Sequence, residues 1–387
     1  MKYIFGEVYN LIRYILRFIP LLFSVLITFF STFEDNAARL ELDIAEQPER
    51  IAQLEQAYLN GEIPPVDEAS FFDGDLNAEL EAGLKFNEIA FIGTHNSYQK
   101  QSVPTMHKLY SQLSELTFGA FKANTGEFES QTLTQQLNCG IRNVEIDIET
   151  FERDGEISFT CMHIPALDMG TTCYDFELAL KEIVLWSDNN PNHLPITVIV
   201  EPKQVFLPLE DMKFFNMEYV QVLDNLLRES LGDKLFTPSD MLRDYASFGE
   251  MRAADDWCEV KDMLGKVVVL LHDTGVTEKY IDLDPSIKSQ AMFPMLRPAD
   301  IGRDCASFLI INHPEEIAKC KVDVLNSANF IVRTRTDEFN KISEERLETA
   351  IYSGAQMIST DYPPKDNLTP DDYAVTFNNG KTVAKVK

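Results

Sequence analysis

Positive charge is scarce in this chain: 34 Lys and Arg stand against 62 Asp and Glu in 387 residues, a formal charge of −28. That balance provides no surface for tracking phosphates, so nucleic acid is excluded as a partner. It also repels anionic lipid, so any hold on a membrane must come from an apolar anchor or a local basic group. No CxxC pair occurs among Cys139, Cys161, Cys173, Cys258, Cys305 and Cys320, which removes the usual zinc spacing. Six cysteines fit an oxidising compartment, and their spacing leaves the pairing open. Long charge-free apolar sequence is confined to Phe18–Phe33 (FIPLLFSVLITFFSTF), preceded by Lys2, Arg13 and Arg17 and followed by Glu34 and Asp35. Basic before and acidic after predicts an N-terminus held inside and an exported remainder. No small-x-small cleavage site follows closely, so residues 1–35 read as either a signal peptide or a signal anchor.

What is present is enough for a full core, with 45% hydrophobic residues. Residues 36–85 are polar, and the Leu and Ile spacing of 37–60 predicts a helical spacer interrupted at Pro48. From Phe86 the texture becomes short apolar runs separated by helical stretches, the pattern of repeated β/α units. Eight runs are expected as strands: Glu88–Gly93, Val144–Ile148, Ile157–Met162, Ile196–Val200, Val267–Leu271, Ala291–Leu296, Phe330–Arg333 and Met357–Thr360. The expected fold is α/β, a TIM (β/α)8 barrel over 86–387. The second and third runs are only about eight residues apart, too close for a crossover helix, so the barrel is expected to be distorted there or to carry a hairpin.

Catalytic groups in such a barrel sit where strands end. The first run ends in His95-Asn96, the second carries Glu145, Asp147 and Glu149, the third ends in His163, and the fourth ends in Glu201 with Lys203 beyond. A period of two puts the three carboxylates of the second run on one strand face. Inside a barrel they must pair, protonate or bind a cation. With Glu201 and Asn96 nearby, the oxygen donors suit Ca²⁺ better than Zn²⁺ and leave His95 and His163 for proton transfer. Lys203, Arg333 and Arg335 are candidates to bind phosphate, or to pair with the barrel's own carboxylates. Asp361 closes the last run, next to His95 in a closed barrel, and is expected to fix that imidazole's tautomer. His272, at the end of the fifth run, is a weaker binding candidate.

The ordered motifs GTHNSY, GIRNVEIDIE, ITVIVEPK, IVRTRTDEF and SGAQMISTDYP, together with His163, resemble those of the calcium-dependent phosphoinositide-type phospholipases C of the bacterial sort, from about Phe86 to Pro364. The resemblance implies a phosphoric diester hydrolase with His95 and His163 catalytic, and Asn96, Glu145, Asp147 and Glu201 as Ca²⁺ ligands. It further implies attack by an inositol 2-hydroxyl on a phospholipid at a membrane surface, giving diacylglycerol and a cyclic inositol phosphate. Neither an EF-hand loop nor a lipid-targeting module accompanies these motifs. Two other readings are a glycerophosphodiester phosphodiesterase, whose first strand usually ends in His-Arg-Gly where this chain has His95-Asn96-Ser97, and an inactive, membrane-tethered binding barrel.

Overall fold

The structure, a computed structural model, describes residues 2–117, 119, 128–203, 208–272, 275–321, 329–338, 342–365 and 373–386, with the backbone alone for 2–17, 318, 320 and 321. Its strands are β1 (Ile89–Thr94), β2 (Asn143–Arg153), β3 (Glu156–Thr160), β4 (Ile196–Pro202), β5 (Met212–Lys213), β6 (Val267–Leu271), β7 (Phe293–Leu296), β8 (Phe308–Ile310), β9 (Ile331–Arg335), β10 (Met357–Thr360) and β11 (Val383–Lys385). Eight of them form a closed parallel barrel in the order β1-β10-β9-β8-β7-β6-β4-β2, the TIM architecture expected.

Closure is narrow. β1 meets β2 at one register pair, Gly93 opposite Asn143. A Cβ on Gly93 would lie 2.4 Å from Asn143 Oδ1 and 2.8 Å from its carbonyl oxygen, so only glycine lets the two backbones come together. The free edge of β1 beside this seam is covered by β11, running antiparallel.

One strand expectation is corrected. Ile157–Met162 does not supply a barrel strand, and the hairpin alternative holds: β3 turns back antiparallel on the overhanging end of β2, from Glu149↔Thr160 to Arg153↔Glu156. The eighth barrel position belongs to β8, only three residues long, paired with β7 and β9. A run of three carries too little alternation to stand out from the apolar sequence around it.

The barrel strands are apolar on both faces where helices cover them, as in Val267–Leu271, which is wholly buried. At the other end of the chain one helix covers Lys2–Leu59, so the break expected at Pro48 does not occur. A proline inside a helix costs ~3 kcal/mol in lost bonding and crowding. Here the residues beside it are tied to the barrel side of the molecule, Gln47 by two hydrogen bonds to the Asp175 backbone and Arg50 by one to the Thr172 carbonyl. Phe72, Leu76 and Leu84, from the segment expected to be a spacer, lie in the main core. Cys139, Cys161, Cys173, Cys258 and Cys305 form no disulfides; the Cys320 side chain lies outside the described residues.

Candidate active site

β1 delivers His95 to the mouth of the barrel, and Asn96 then takes a left-handed turn with φ 46°. The turn is pinned to β2, because Ser97 N donates to the Glu145 carbonyl and Ser97 Oγ accepts from Glu145 N. His95 Nδ1 lies 2.7 Å from Asp361 Oδ1, just past β10, and a proton on that nitrogen would be donated to the carboxylate. Nε2 then carries the lone pair and faces Arg335 Nη1 at 3.2 Å and Glu145 Oε1 at 3.8 Å. Burial drives the His95 pKa well below the ordinary 6.5, and the Arg335 charge adds to the effect. Both effects favour the neutral imidazole at His95.

His163 lies beyond β3, in the loop that leads to the helix Phe176–Asn189. Its Nδ1 is 3.1 Å from Asp168 Oδ2. Burial opposes its charged form, yet the hydrogen bond and charge of Asp168, with Asp147 adding to them, win and raise its pKa above 6.5. Asp168 is itself held by Gln99 and Ser102, each donating at 2.8 Å. The sequence reading missed Asp168. Its only trace there is an acid five residues after a strand-end histidine, in a loop without periodicity.

The carboxylates of β2 are buried as their alternation requires. Glu145 pairs with Arg333, which also reaches Ser359 Oγ and Asn312. Burial raises the Glu145 pKa, and Arg333 together with His95 and His272 outweighs this to leave it lowered. Asp147 stands opposite Glu201 in the β2–β4 register. Tyr98 OH and Lys203 Nζ both bond Asp147 Oδ2, at 2.8 and 3.0 Å, and Lys203 also bonds Glu201 Oε1 at 2.9 Å. These bonds are not enough: burial pushes Asp147 up to about 6, and Glu149, buried next to Asp147, up to about 8. Glu201 is pulled down to about 2, since Lys203 and His272 outweigh its burial.

Glu145, Glu201 and His272 each offer a ligand atom within 4.8 Å of the others. Asn96 is buried, with Nδ2 donating to Gln99 Oε1 at 3.1 Å. Asp147 Oδ1 and Glu149 Oε2 are buried without a hydrogen-bond partner, which leaves each open to a proton or a cation. Oxygen donors of this number fit a hard divalent ion such as calcium. Arg333 serves as a counter-ion inside the barrel, whereas Arg335 and Lys203 remain partly accessible at the mouth.

The model of the family described as phosphoinositide phospholipase C, Ca²⁺-dependent, matches residues 84–159 and 152–386. The chain belongs to that family. It is a calcium-dependent enzyme of the phosphoric diester hydrolase class. Among solved structures, its fold is similar to the calcium-dependent phosphoinositol-specific phospholipase C of the Gram-negative bacterium Pseudomonas sp. in its apo form, with 17% identity, a TM-score of 0.54, and coverage of 82% of this chain and 99% of that one. The myoinositol complex of the Pseudomonas enzyme aligns at 17% identity and a TM-score of 0.51, over 83% of this chain and 98% of that one. No curated protein sequence matches the chain.

Proposed function

We propose that this phospholipase C cleaves phosphatidylinositol, or a closely related inositol phospholipid, at a membrane surface to diacylglycerol and a cyclic inositol phosphate. The observation that carries the reading is the pair of imidazoles at one carboxylate-lined mouth, each held at Nδ1 by its own carboxylate, His95 by Asp361 at 2.7 Å and His163 by Asp168 at 3.1 Å. His95 Nε2 takes the proton of the inositol 2-hydroxyl. The freed oxygen attacks phosphorus, the bond to the diacylglycerol oxygen breaks, and His163 protonates that leaving oxygen. Asp361 keeps the His95 lone pair on Nε2, and Asp168 keeps His163 charged. The hydroxyl displaces Arg335 from Nε2, and the guanidinium moves to the phosphate oxygens together with Lys203. Glu145, Asp147 and Glu201, with Asn96, would hold calcium, which when bound would acidify the hydroxyl and offset phosphate charge.

A neighbouring hydroxyl gains a large proximity advantage over free water, up to roughly 7–11 kcal/mol of the barrier, so the cyclic product forms first. Phosphorus NMR during phosphatidylinositol cleavage tests this, with a cyclic inositol phosphate signal and diacylglycerol expected. Equal rates on glycerophosphodiesters that lack a vicinal hydroxyl would overturn it in favour of a glycerophosphodiesterase.

The N-terminal helix supports the lipid part of the reading. By length and composition its apolar part could cross a membrane. Ile19, Leu22, Phe23, Leu26, Ile27, Phe30 and Phe33 are exposed, while Val25 and Phe29 pack on the helix Pro104–Leu116 against Val103, Met106, Leu109 and Tyr110. One face is thus engaged by the protein and the other is free for lipid. We take residues 1–35 as a retained anchor that presents an exported enzyme to its membrane substrate.

A further inference from the structure

The loop between β3 and the helix Phe176–Asn189 carries His163 and Asp168 but has little secondary structure of its own. Its backbone groups are buried and need partners. Many of these come from a helix more than a hundred residues away in sequence. Asn36 Nδ2 donates to the Leu167 carbonyl at 2.6 Å, and Asn36 Oδ1 accepts from Met169 N at 3.3 Å, so one side chain grips both neighbours of Asp168. Asp43 Oδ2 accepts from Thr171 N at 3.0 Å, while Asp43 Oδ1 holds Lys100 Nζ at 2.7 Å. Arg50 donates to the Thr172 carbonyl, and Gln47 bonds both the N–H and the carbonyl of Asp175.

Asn36, Asp43 and Gln47 are each buried to at least 96%, although they are polar side chains on a helix whose opposite face is exposed. Thr28, Thr32, Asn36, Asp43, Gln47 and Ile51 form one seam at spacings of four and seven residues. The seam begins inside the apolar segment and continues past the acidic border at Glu34 without a break. Lipid-facing Phe33 lies less than one turn from Asn36.

We infer that the N-terminal helix is a positioning element of the catalytic centre: its Asn36, Asp43 and Gln47 clamp the loop that aims Asp168 at His163. The membrane anchor and the clamp are then two faces of one rod. The inference rests on the reading of His163 as catalytic. A group that acts only in the transition state is felt in turnover, so loosening the clamp lowers kcat and leaves KM nearly unchanged.

The test uses the full chain in mixed micelles with a short-chain phosphatidylinositol and saturating calcium. It compares the double variant Asn36→Ala/Gln47→Ala, the single variant Asn36→Ala, and Leu42→Ala, which lies on the exposed face of the same helix. The expected result for the double variant is a fall in kcat of ~10–100-fold, the usual cost of losing an orienting partner. KM and the calcium midpoint should stay near wild type, and amide exchange should rise selectively over residues 163–171. Asn36→Ala should show the same split in smaller measure, and it carries the test if the double variant does not fold. Leu42→Ala should match wild type. Wild-type kcat in both Asn36 variants, or an equal loss in Leu42→Ala, would overturn the clamp. His163→Ala in the same assay separates the two failures: if it alone abolishes turnover, only the clamp has failed. If His163→Ala turns over normally, the site reading falls and takes the clamp with it.

Discussion

His95 and His163 reach the same mouth from opposite kinds of backbone. His95 follows a barrel strand directly, and its partner Asp361 follows the adjacent strand β10, so a parallel ladder sets both ends of the pair. His163 and Asp168 sit five residues apart in one irregular loop, and their geometry depends on Gln99, Ser102 and the N-terminal helix. The electrostatics differ in the same way. Burial, with Arg335 adding to it, lowers the pKa of His95, whereas Asp168 and Asp147 overcome burial and raise that of His163. In the proposed mechanism the strand-anchored end of the site holds the base and the loop-borne end holds the acid.

The largest effect should come from deleting either imidazole. His95→Ala and His163→Ala should each lose ~10²–10⁴-fold in turnover, the scale for a general base or acid. Their pH profiles should then differ in sign. On the proposed roles His95 acts deprotonated and His163 protonated, so the wild-type rate should rise through the lowered pKa of His95 and fall through the raised pKa of His163. His163→Ala should erase the alkaline limb and His95→Ala the acid limb. Both variants losing the same limb would break the distinction between the two ends.

Removing the orienting carboxylates should cost less and should sharpen the contrast. Asp361→Asn and Asp168→Asn should each lower kcat by ~10–100-fold. Only Asp168→Asn should shift the alkaline limb to lower pH, because the hydrogen bond and charge of the Asp168 carboxylate are what raise the pKa of His163. Steady-state profiles of the two variants decide this, and an unmoved alkaline limb in Asp168→Asn would show that the charge comes from elsewhere.

The smallest effect is on stability. Asp147 is raised by burial from 3.8 to about 6 and Glu149 from 4.5 to about 8, so the folded protein holds protons that the unfolded chain has released between those values. Without calcium the melting temperature should therefore fall as pH rises from about 4 to 8. With calcium, which favours the ionised carboxylates, the slope should flatten or reverse. Melts at several pH values with and without the ion check this, and identical slopes would mean that these carboxylates do not meet the metal.

The rigid half of the site was legible in the sequence, because strand alternation and strand ends are local signals. Glu145, Asp147 and Glu149 share a face by parity, and the closing of the last barrel strand on the first places Asp361 beside His95. The adjustable half was not. Asp168 lies in a loop without a period, β8 is too short to register, and the bonds from Asn36 to Leu167 and Met169 span about 130 positions of chain with no local trace. The sequence predicts a spacer broken at Pro48 because the tertiary bonds that carry the helix through the proline are equally non-local.

The division of labour between the two histidines is tested most directly by changing the leaving group. An inositol phosphate ester of a nitrophenol departs without a proton, whereas the diacylglycerol alkoxide needs one. His163→Ala should recover most of its lost turnover on the nitrophenyl substrate, and His95→Ala should remain as impaired on it as on the lipid. Equal losses on both substrates for His163→Ala, or recovery by His95→Ala instead, would contradict the assignment of His95 as base and His163 as acid.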